Sequence, residues 1–542
     1  MCGISGIVHN FKESPPIEPE KSLIFIDKLK NIKSYEDISA LTKLTDEIEP
    51  FINELFNFEN FYKLYTSPYM RRDLEDILSL LKKLEENLDK YLKASGVSIS
   101  LDLLEKFNSV LIRQRDLLWR IKEDLLRNIS KVKEFFQDSN LEENKKFIHE
   151  LWKLNFILNN LDRLEVRGRD SAGLSCIISF HKPSGLKEFK ANLQDNLKIE
   201  YEERIRFKDF INLTILEASS AEDKEKAYLI FTFKVAEEIG KMGDNIATLR
   251  KTIREDRIFL TSLAHKETDS NFIAHTRWAS NGIINEQNCH PVNNETEPLP
   301  GSKEMAKSYS ISAILNGDID NFQELREKYT ALKERKISDN ITTDAKIIPL
   351  VVEKFYEETK NLYEAFRLAL NEFKGSMAIA MHSSLAPDKI FLALRGSGQA
   401  LFVGFINHGY VFASELYGVV EESSKFIKLD GEKERIPGNP NTQGQIFVLH
   451  QTSEGRLENI KAFYFDGVEL FLTEKDIKHA EITTRDINRG EYSHFLLKEI
   501  SESPLSIEKT LRGKFEIRNE PGGHVPFFNI NKEIIPEITI NK

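Results

Sequence analysis

Met1-Cys2-Gly3-Ile4-Ser5-Gly6-Ile7-Val8 opens the chain, and how this stretch is read decides the fold. Gly3 and Gly6 punctuate a loosely alternating apolar run, which predicts a short strand whose backbone lies close to a neighbour. The stretch has no signal-peptide pattern, no basic leader and no apolar run long enough for a membrane span. The expectation is therefore that Met1 is removed and Cys2 becomes the N-terminus. A thiol and an α-amine would then share one residue. A terminal amine, with a reference pKa of about 7.7–8.0, is the backbone group that acts as a base near neutral pH. Nucleophile and base on one carbon is a variant of the logic in which an N-terminal amine activates its own side chain. Taken alone, Cys2 reads better as a small buried apolar residue at a strand start. Motifs further along reverse that preference.

The chain has 542 residues, enough for about two to four domains, and a hydrophobic fraction of 40%, ordinary for a protein with a buried core. Its formal net charge of −11 is dispersed along the chain rather than gathered in a tail. That argues against a general nucleic-acid or anionic-membrane surface and favours small polar substrates. Only Cys2, Cys176 and Cys289 occur, none at a Cys-x-x-Cys spacing, which fits a reducing cytoplasm and no structural metal. Neither a His-Glu-x-x-His pattern nor a phosphate-binding Gly-x-x-x-x-Gly-Lys-Ser/Thr loop is present, so no cofactor is expected.

From about Ser34 to Leu161 the chain is rich in Leu, Lys, Glu and Ile, with apolar residues at helical spacing. Leu74, Ile77, Leu78, Leu81, Leu84, Leu88 and Tyr91 form one stripe; Leu118, Ile121, Leu125, Ile129, Val132 and Phe136 form another. Breaks are expected at Ala94-Ser95-Gly96 and at Gln137-Asp138-Ser139-Asn140. This reads as a helical hairpin or small bundle whose stripes pack on each other. A polar stretch from Lys182 to Glu203 and a Lys/Glu-rich region follow, with one helix expected from Val235 to Ile253.

From Asn271 the texture is β-rich and punctuated by glycine, with short apolar runs such as Phe272-Ile273-Ala274, Ser312-Ala313-Ile314-Leu315 and Met377-Ala378-Ile379-Ala380. Helices are expected near Phe322–Tyr329 and over Thr343–Phe373. Strands close in sequence, with helices in separate runs, predict an α+β layered fold built on largely antiparallel sheets.

Three stretches in this part hold the groups that a Cys2 nucleophile would need. The first is His275-Thr276-Arg277-Trp278-Ala279-Ser280-Asn281-Gly282, followed by Cys289-His290-Pro291. Arg277 offers a planar fork suited to a carboxylate, or to a structural ion pair. The second is Leu315-Asn316-Gly317-Asp318. An Asn amide and a Gly N–H at a turn are oxyanion-stabilising donors, and Asn-Gly is also an ordinary hairpin turn. The third is Thr342-Thr343-Asp344-Ala345, where Asp344 is either an ammonium ligand or a helix-start acid. Jointly they describe a site for an α-amino acid carrying an amide.

The ensemble resembles a known family. Cys2-Gly3-Ile4, Arg167-Gly168 with Asp170-Ser171-Ala172-Gly173-Leu174, Ala274 to Ala279, Asn316-Gly317, Thr343-Asp344 and Ala413-Ser414-Glu415 are similar to the glutaminase domain of class II glutamine amidotransferases, which are N-terminal-nucleophile hydrolases. The resemblance implies a four-layer αββα sandwich and release of ammonia from glutamine through a γ-glutamyl thioester on Cys2. By motif position it implies that Arg277 and Asp344 hold the glutamine backbone groups, and that Asn316 and Gly317 form the oxyanion hole. Trp278 would lie near the ammonia outlet, with Arg167 close to the nucleophile and His290 in support. Thr276-Arg277-Trp278-Ala279, and the later run from Arg489 to Ile500 with Thr510-Leu511-Arg512-Gly513, resemble the glucosamine-6-phosphate synthase branch. In that branch such a run leads into sugar-isomerase domains.

The expected domains are an amidotransferase domain over 1–11 and 151–485, a helical insertion over 12–150, and a linker or tail over 486–542. Arg169, Asn281 and Asp318 depart from the family pattern. Only about thirty residues follow Gly513, without a βαβ pattern, so the expected partner is a sugar-isomerase domain or subunit that receives the ammonia. A glutaminase serving another acceptor and a catalytically silent scaffold are the alternatives. Composition, charge and motif spacing leave the expectation at no metal, no nucleic acid and no membrane.

Overall fold

The structure is a computed structural model. It describes residues 2–528 apart from 14, 16, 19, 33–36, 96–99, 137–140, 207–211, 220–225, 238–241, 280–281, 299–308, 334, 491, 512–514 and 521–522. The expected break at 137–140 and the departure at Asn281 lie outside the described residues. The chain packs as two units, one of residues 1–14 and 130–483, the other of 15–129 and 484–542.

The second unit is mainly helical. Helices Glu20–Lys30, Ile38–Glu54, Phe58–Thr66, Pro68–Ser95 and Leu101–Trp119 are followed by a π-helical segment, Arg120–Leu126. Asp37, Asn57 and Ser100 cap three of these helices by accepting from the backbone N–H of Ala40, Asn60 and Leu103. Leu74, Ile77, Leu81, Leu84 and Leu88 are buried, as a core stripe requires. In the next stripe Leu117, not Leu118, is buried, together with Ile121, Leu125 and Ile129. Steps of four residues drift by ~40° per step on a regular helix, and the wider π-turn absorbs that drift. Thr484 binds this unit through Trp119 (2.9 Å) and Asp124 (2.6 Å), and Arg485 pairs with Asp116 at 2.9 Å.

The first unit is a sandwich. Its strands are β1 (Gly3–His9), β2 (Ser171–Phe180), β3 (Thr214–Ser219), β4 (Ala227–Val235), β5 (Thr268–Arg277), β6 (Val292–Asn293), β7 (Ile311–Gly317) and β8 (Met377–Ser383). They continue with β9 (Lys389–Arg395), β10 (Phe402–Ile406), β11 (Gly409–Ala413), β12 (Lys425–Lys428), β13 (Gln445–His450), β14 (Lys461–Tyr464) and β15 (Lys478–His479). One sheet has the order β15-β12-β10-β11-β1-β5-β2-β4-β3, the other β14-β13-β9-β8-β7-β6, and neighbours pair antiparallel. The opening stretch is therefore a central strand, covered on both edges by β5 and β11.

Period-two alternation builds the layers. Ala378 and Ala380 of β8 join Ile4, Val8, Ile273 and Phe412 between the sheets, whereas Met377, Ile379 and Met381 face the helices outside. Those helices are Ile347–Thr359 and Leu362–Glu372. On the far face, Lys145–Leu164, Asp244–Glu255 and Arg257–Ala264 cover the nine-stranded sheet. The result is the α+β, four-layer αββα arrangement.

Two readings need correction, and one stretch left without an assigned element gains one. Val235 ends β4, whose apolar run carries strand character through that residue, and the helix expected there begins only at Asp244. The single helix expected over Thr343–Phe373 is two, because Lys360 adopts φ 54° and Asn361 caps the next helix through the N–H of Glu364. The polar stretch after Lys182 forms helices Pro183–Asn192 and Asp195–Arg206. Among the described residues, no helix is long and apolar enough to cross a membrane.

Candidate active site

Cys2 directly precedes β1 and is half-buried. Its Sγ accepts a hydrogen bond from the backbone N–H of Trp278 at 3.2 Å and lies 3.5 Å from the Trp278 carbonyl. Close approach makes this possible. A Cβ on Gly3 would sit 2.6 Å from Leu164 Cβ and Thr276 Oγ1, and one on Gly168 would sit 2.6 Å from the Arg277 backbone. These glycines let the start of β1, the end of β5 and the turn after Leu164 converge at one point. Burial pushes the Cys2 thiol above its ordinary pKa, with the Trp278 hydrogen bond and Arg277 pulling it partly back. At neutral pH the sulfur is mostly protonated, so attack requires a base.

Asn316 reaches the same point from the other sheet, its Nδ2 donating to the Cys2 carbonyl at 2.8 Å. The orientation of this amide follows from His275. His275 Nε2 lies 2.9 Å from the Leu315 carbonyl, which can only accept, so Nε2 carries the proton. The atom of Asn316 facing it at 3.0 Å is accordingly Oδ1. Burial pushes the imidazole down to about 3, so it is neutral across the working pH range. One Nδ2 hydrogen is committed to Cys2, and the other is available to an incoming oxygen.

Gly317 follows with φ +96°, and a Cβ there would lie 2.1 Å from the Ser376 carbonyl oxygen. Asp318 donates to that same carbonyl, so the alternation of an antiparallel ladder turns the Gly317 N–H away from β8. Gly317→Ala is expected to destabilise the fold by about 2 kcal/mol or more, from the left-handed backbone and the clash together. A shift in the urea midpoint checks this, and an unchanged midpoint would refute it.

Arg277 ends β5 with only 3% exposure, its Nη1 donating to the Ile283 carbonyl at 3.4 Å. Burial lowers its pKa, while Cys289, Cys2 and Asp344 raise it. Asp344 begins a 3₁₀ turn and accepts from the N–H of Ile319 at 2.8 Å and of Ala345 at 3.0 Å. Burial pushes its carboxyl up to about 6 against these hydrogen bonds. A buried guanidinium and a buried carboxylate thus flank the thiol. Trp278 is 48% exposed at the rim.

His290 lies behind this layer. It is buried, bonds Thr343 Oγ1 at 3.0 Å, receives the Leu315 N–H at 3.4 Å and packs on His275 with ring centroids 4.5 Å apart. Arg167 pairs with Glu415 at 2.9 Å and donates to the Tyr417 hydroxyl at 3.3 Å.

Sequence reasoning assigned no role to several positioning residues. Asn288 accepts from the backbone N–H groups of Thr342 (2.7 Å) and Thr343 (2.9 Å), fixing the turn that carries Asp344. Asp170 accepts from Ala279 N–H at 2.7 Å, and Ser414 Oγ accepts from Ile4 N–H at 2.9 Å. His275, Asp170 and Ser414 fall inside the motifs; Asn288 stands outside them and carries no local signal.

No family model matches the chain. It is 31% identical over 242 residues to glutamine–fructose-6-phosphate aminotransferase [isomerizing] of Clostridium acetobutylicum, a match covering 45% of this chain and 33% of the relative. To the protein of the same name from Shouchella clausii it is 30% identical over 275 residues, 51% of this chain and 38% of the relative. The matched part thus spans between a third and two fifths of the length of these curated relatives. Among solved structures, glutamine phosphoribosylpyrophosphate amidotransferase from B. subtilis aligns with a TM-score of 0.29 and 14% identity, over 54% of this chain and 49% of that one. The matched part of the chain is thus a homologue of the glutamine–fructose-6-phosphate aminotransferases, and the αββα sandwich is the fold that the resemblance to class II glutamine amidotransferases implies.

Proposed function

We propose that the sandwich unit hydrolyses glutamine to glutamate and ammonia through a thioester on Cys2, as the ammonia-supplying part of amino-sugar synthesis. The observation that carries this reading is the convergence of the Cys2 sulfur, the Asn316 amide, Arg277 and Asp344 at one end of the two sheets. With Met1 removed, the α-amine of Cys2 takes the thiol proton as sulfur attacks the glutamine amide carbon. The oxyanion is met by Asn316 Nδ2 and the Gly317 N–H. Collapse of the tetrahedral species passes the proton to the departing nitrogen, which leaves as ammonia. Water then cleaves the thioester, releasing glutamate. Arg277 holds the α-carboxylate, and Asp344 the α-ammonium. Arg167 closes the pocket from the Glu415 side, His290 supports the Thr343–Asp344 turn, and Trp278 borders the outlet.

The test is ammonia release from glutamine by protein whose N-terminus is verified by intact mass, before and after treatment with a diazoketone analogue of glutamine. Turnover that the analogue abolishes, with one adduct on Cys2, is the expected result; a protein that retains Met1 should be inactive. Adding fructose 6-phosphate and a sugar-isomerase protein then asks whether the ammonia reaches a sugar phosphate.

Asp344 also sets a pH dependence. It is ionised above about pH 6 and neutral below, so the ammonium site weakens as pH falls. The glutamine KM should rise about tenfold per pH unit below 6, and Asp344→Asn should raise KM at pH 7.5 and flatten that limb. A KM that is flat from pH 7 to 5 in the unaltered protein would return Asp344 to a purely structural role.

A further inference from the structure

A second site lies at the opposite end of the six-stranded sheet. A cavity of about 510 Å³ opens between that sheet and the helices outside it, lined among others by Lys360, Lys389, Lys461, Tyr356, Tyr363 and Phe463. Strand periodicity puts Lys389 on the same face as Phe391, and Lys461 on the same face as Phe463. β9 runs from Lys389 at this cavity to Arg395, which pairs with Met377, itself opposite Gly317. The two sites are therefore about 20 Å apart along the strands.

Three features set this cavity apart. First, no carboxylate lines it, in a chain whose formal net charge is −11, and none of the three lysines forms an ion pair with a described residue. The acids nearest Tyr363 are already neutralised: Glu364 by Arg367 at 2.5 Å and Asp466 by Arg435 at 2.6 Å. Asp388, next to Lys389, pairs with His450 at 2.8 Å. Second, the walls are aromatic. The Tyr363 and Phe463 rings have centroids 4.4 Å apart, and Lys360 Nζ stands 5.8 Å from the Tyr356 ring centre. Third, the Tyr363 hydroxyl is buried without a hydrogen-bond partner. Such a group costs free energy unless something meets it.

The geometry points to a binding site for a nucleoside monophosphate, with a flat ring against the aromatic wall, a polar edge on the Tyr363 hydroxyl and the phosphate among Lys360, Lys389 and Lys461. A phosphomonoester carries about −1.5 to −2 charge at pH 7, which three lysines complement, and the volume lies within the usual ligand range of about 300–1,000 Å³. This assignment does not depend on the chemistry proposed for Cys2.

The test is calorimetric titration of the full chain at low salt with AMP and UMP, each against its nucleoside and against inorganic phosphate. One saturable nucleotide site per chain is expected, with nucleoside and phosphate each about tenfold weaker or more. The double variant Lys389→Gln/Lys461→Gln changes two side chains outside the core and should weaken the nucleotide about tenfold or more at an unchanged melting temperature. Tyr363→Phe should keep the fold and lose part of the affinity. Absence of binding by both nucleotides, equal binding of inorganic phosphate alone, or an unchanged affinity in the lysine variant would each overturn the assignment.

Discussion

Cys2→Ala is expected to lower glutamine turnover by about six orders of magnitude or to background, the scale seen when a covalent nucleophile is removed. The change deletes the sulfur that receives the Trp278 N–H but little packing, since Cys2 is half-buried just before β1, outside the core between the sheets. Stability should stay within about 1 kcal/mol of the unaltered protein. Measuring both quantities separates lost chemistry from lost structure. Ammonia release near the original rate, at full folding, would remove Cys2 from the mechanism. Cys2→Ser sharpens the test: it keeps the hydrogen-bonding position and the α-amine but has a poorer nucleophile, so binding of glutamine should survive while turnover collapses.

Asn316→Ala should lower kcat by about 10²–10³-fold with little change in KM, because an oxyanion donor acts on charge that develops only in the transition state. The structure adds a stability cost of about 1–2 kcal/mol, since the Cys2 carbonyl loses its donor. His275 keeps its bond to the Leu315 carbonyl, so the strand end should remain in place. Asn316→Asp is the informative companion. It nearly preserves shape but replaces the Nδ2 donor with an acceptor, and should be at least as impaired as the alanine. If kcat survives both substitutions, the oxyanion is stabilised elsewhere and the Asn316 amide only ties β7 to β1.

The parts of this arrangement differ in how legible they are from the chain. Short apolar runs such as Phe272-Ile273-Ala274 and Met377-Ala378-Ile379-Ala380 lie in strands because alternation and turn punctuation are local signals. The leucine stripe from Leu74 to Leu88 is buried for the same reason. Local signals failed where a decision rests on one backbone torsion. Lys360 enters the left-handed region and splits one expected helix into two, although nothing in its neighbours' composition demands it. In the second helical stripe, Leu117 displaces Leu118 from the core because the π-turn changes the helical phase, which composition does not report.

The same division runs through the candidate site. Cys2, Arg277, Asn316-Gly317 and Asp344 could be singled out from the chain because each residue type suits one chemical role and the set suits one substrate class. What the chain could not express is which atom faces which. The direction of the Asn316 amide depends on a histidine forty-one positions away whose proton is fixed by the Leu315 carbonyl. The Thr343–Asp344 turn depends on Asn288, fifty-five positions from Thr343. The lysine-and-aromatic cavity joins side chains from two helices and three strands that share no motif. By itself, then, the sequence determined the secondary structure of its periodic segments and the chemical inventory of the site, because both follow from neighbouring residues and side-chain type. Only the tertiary structure decided the orientation, tautomer and burial of the site's polar groups, because those arise where two sheets converge and each polar group must find its partner out of reach of water.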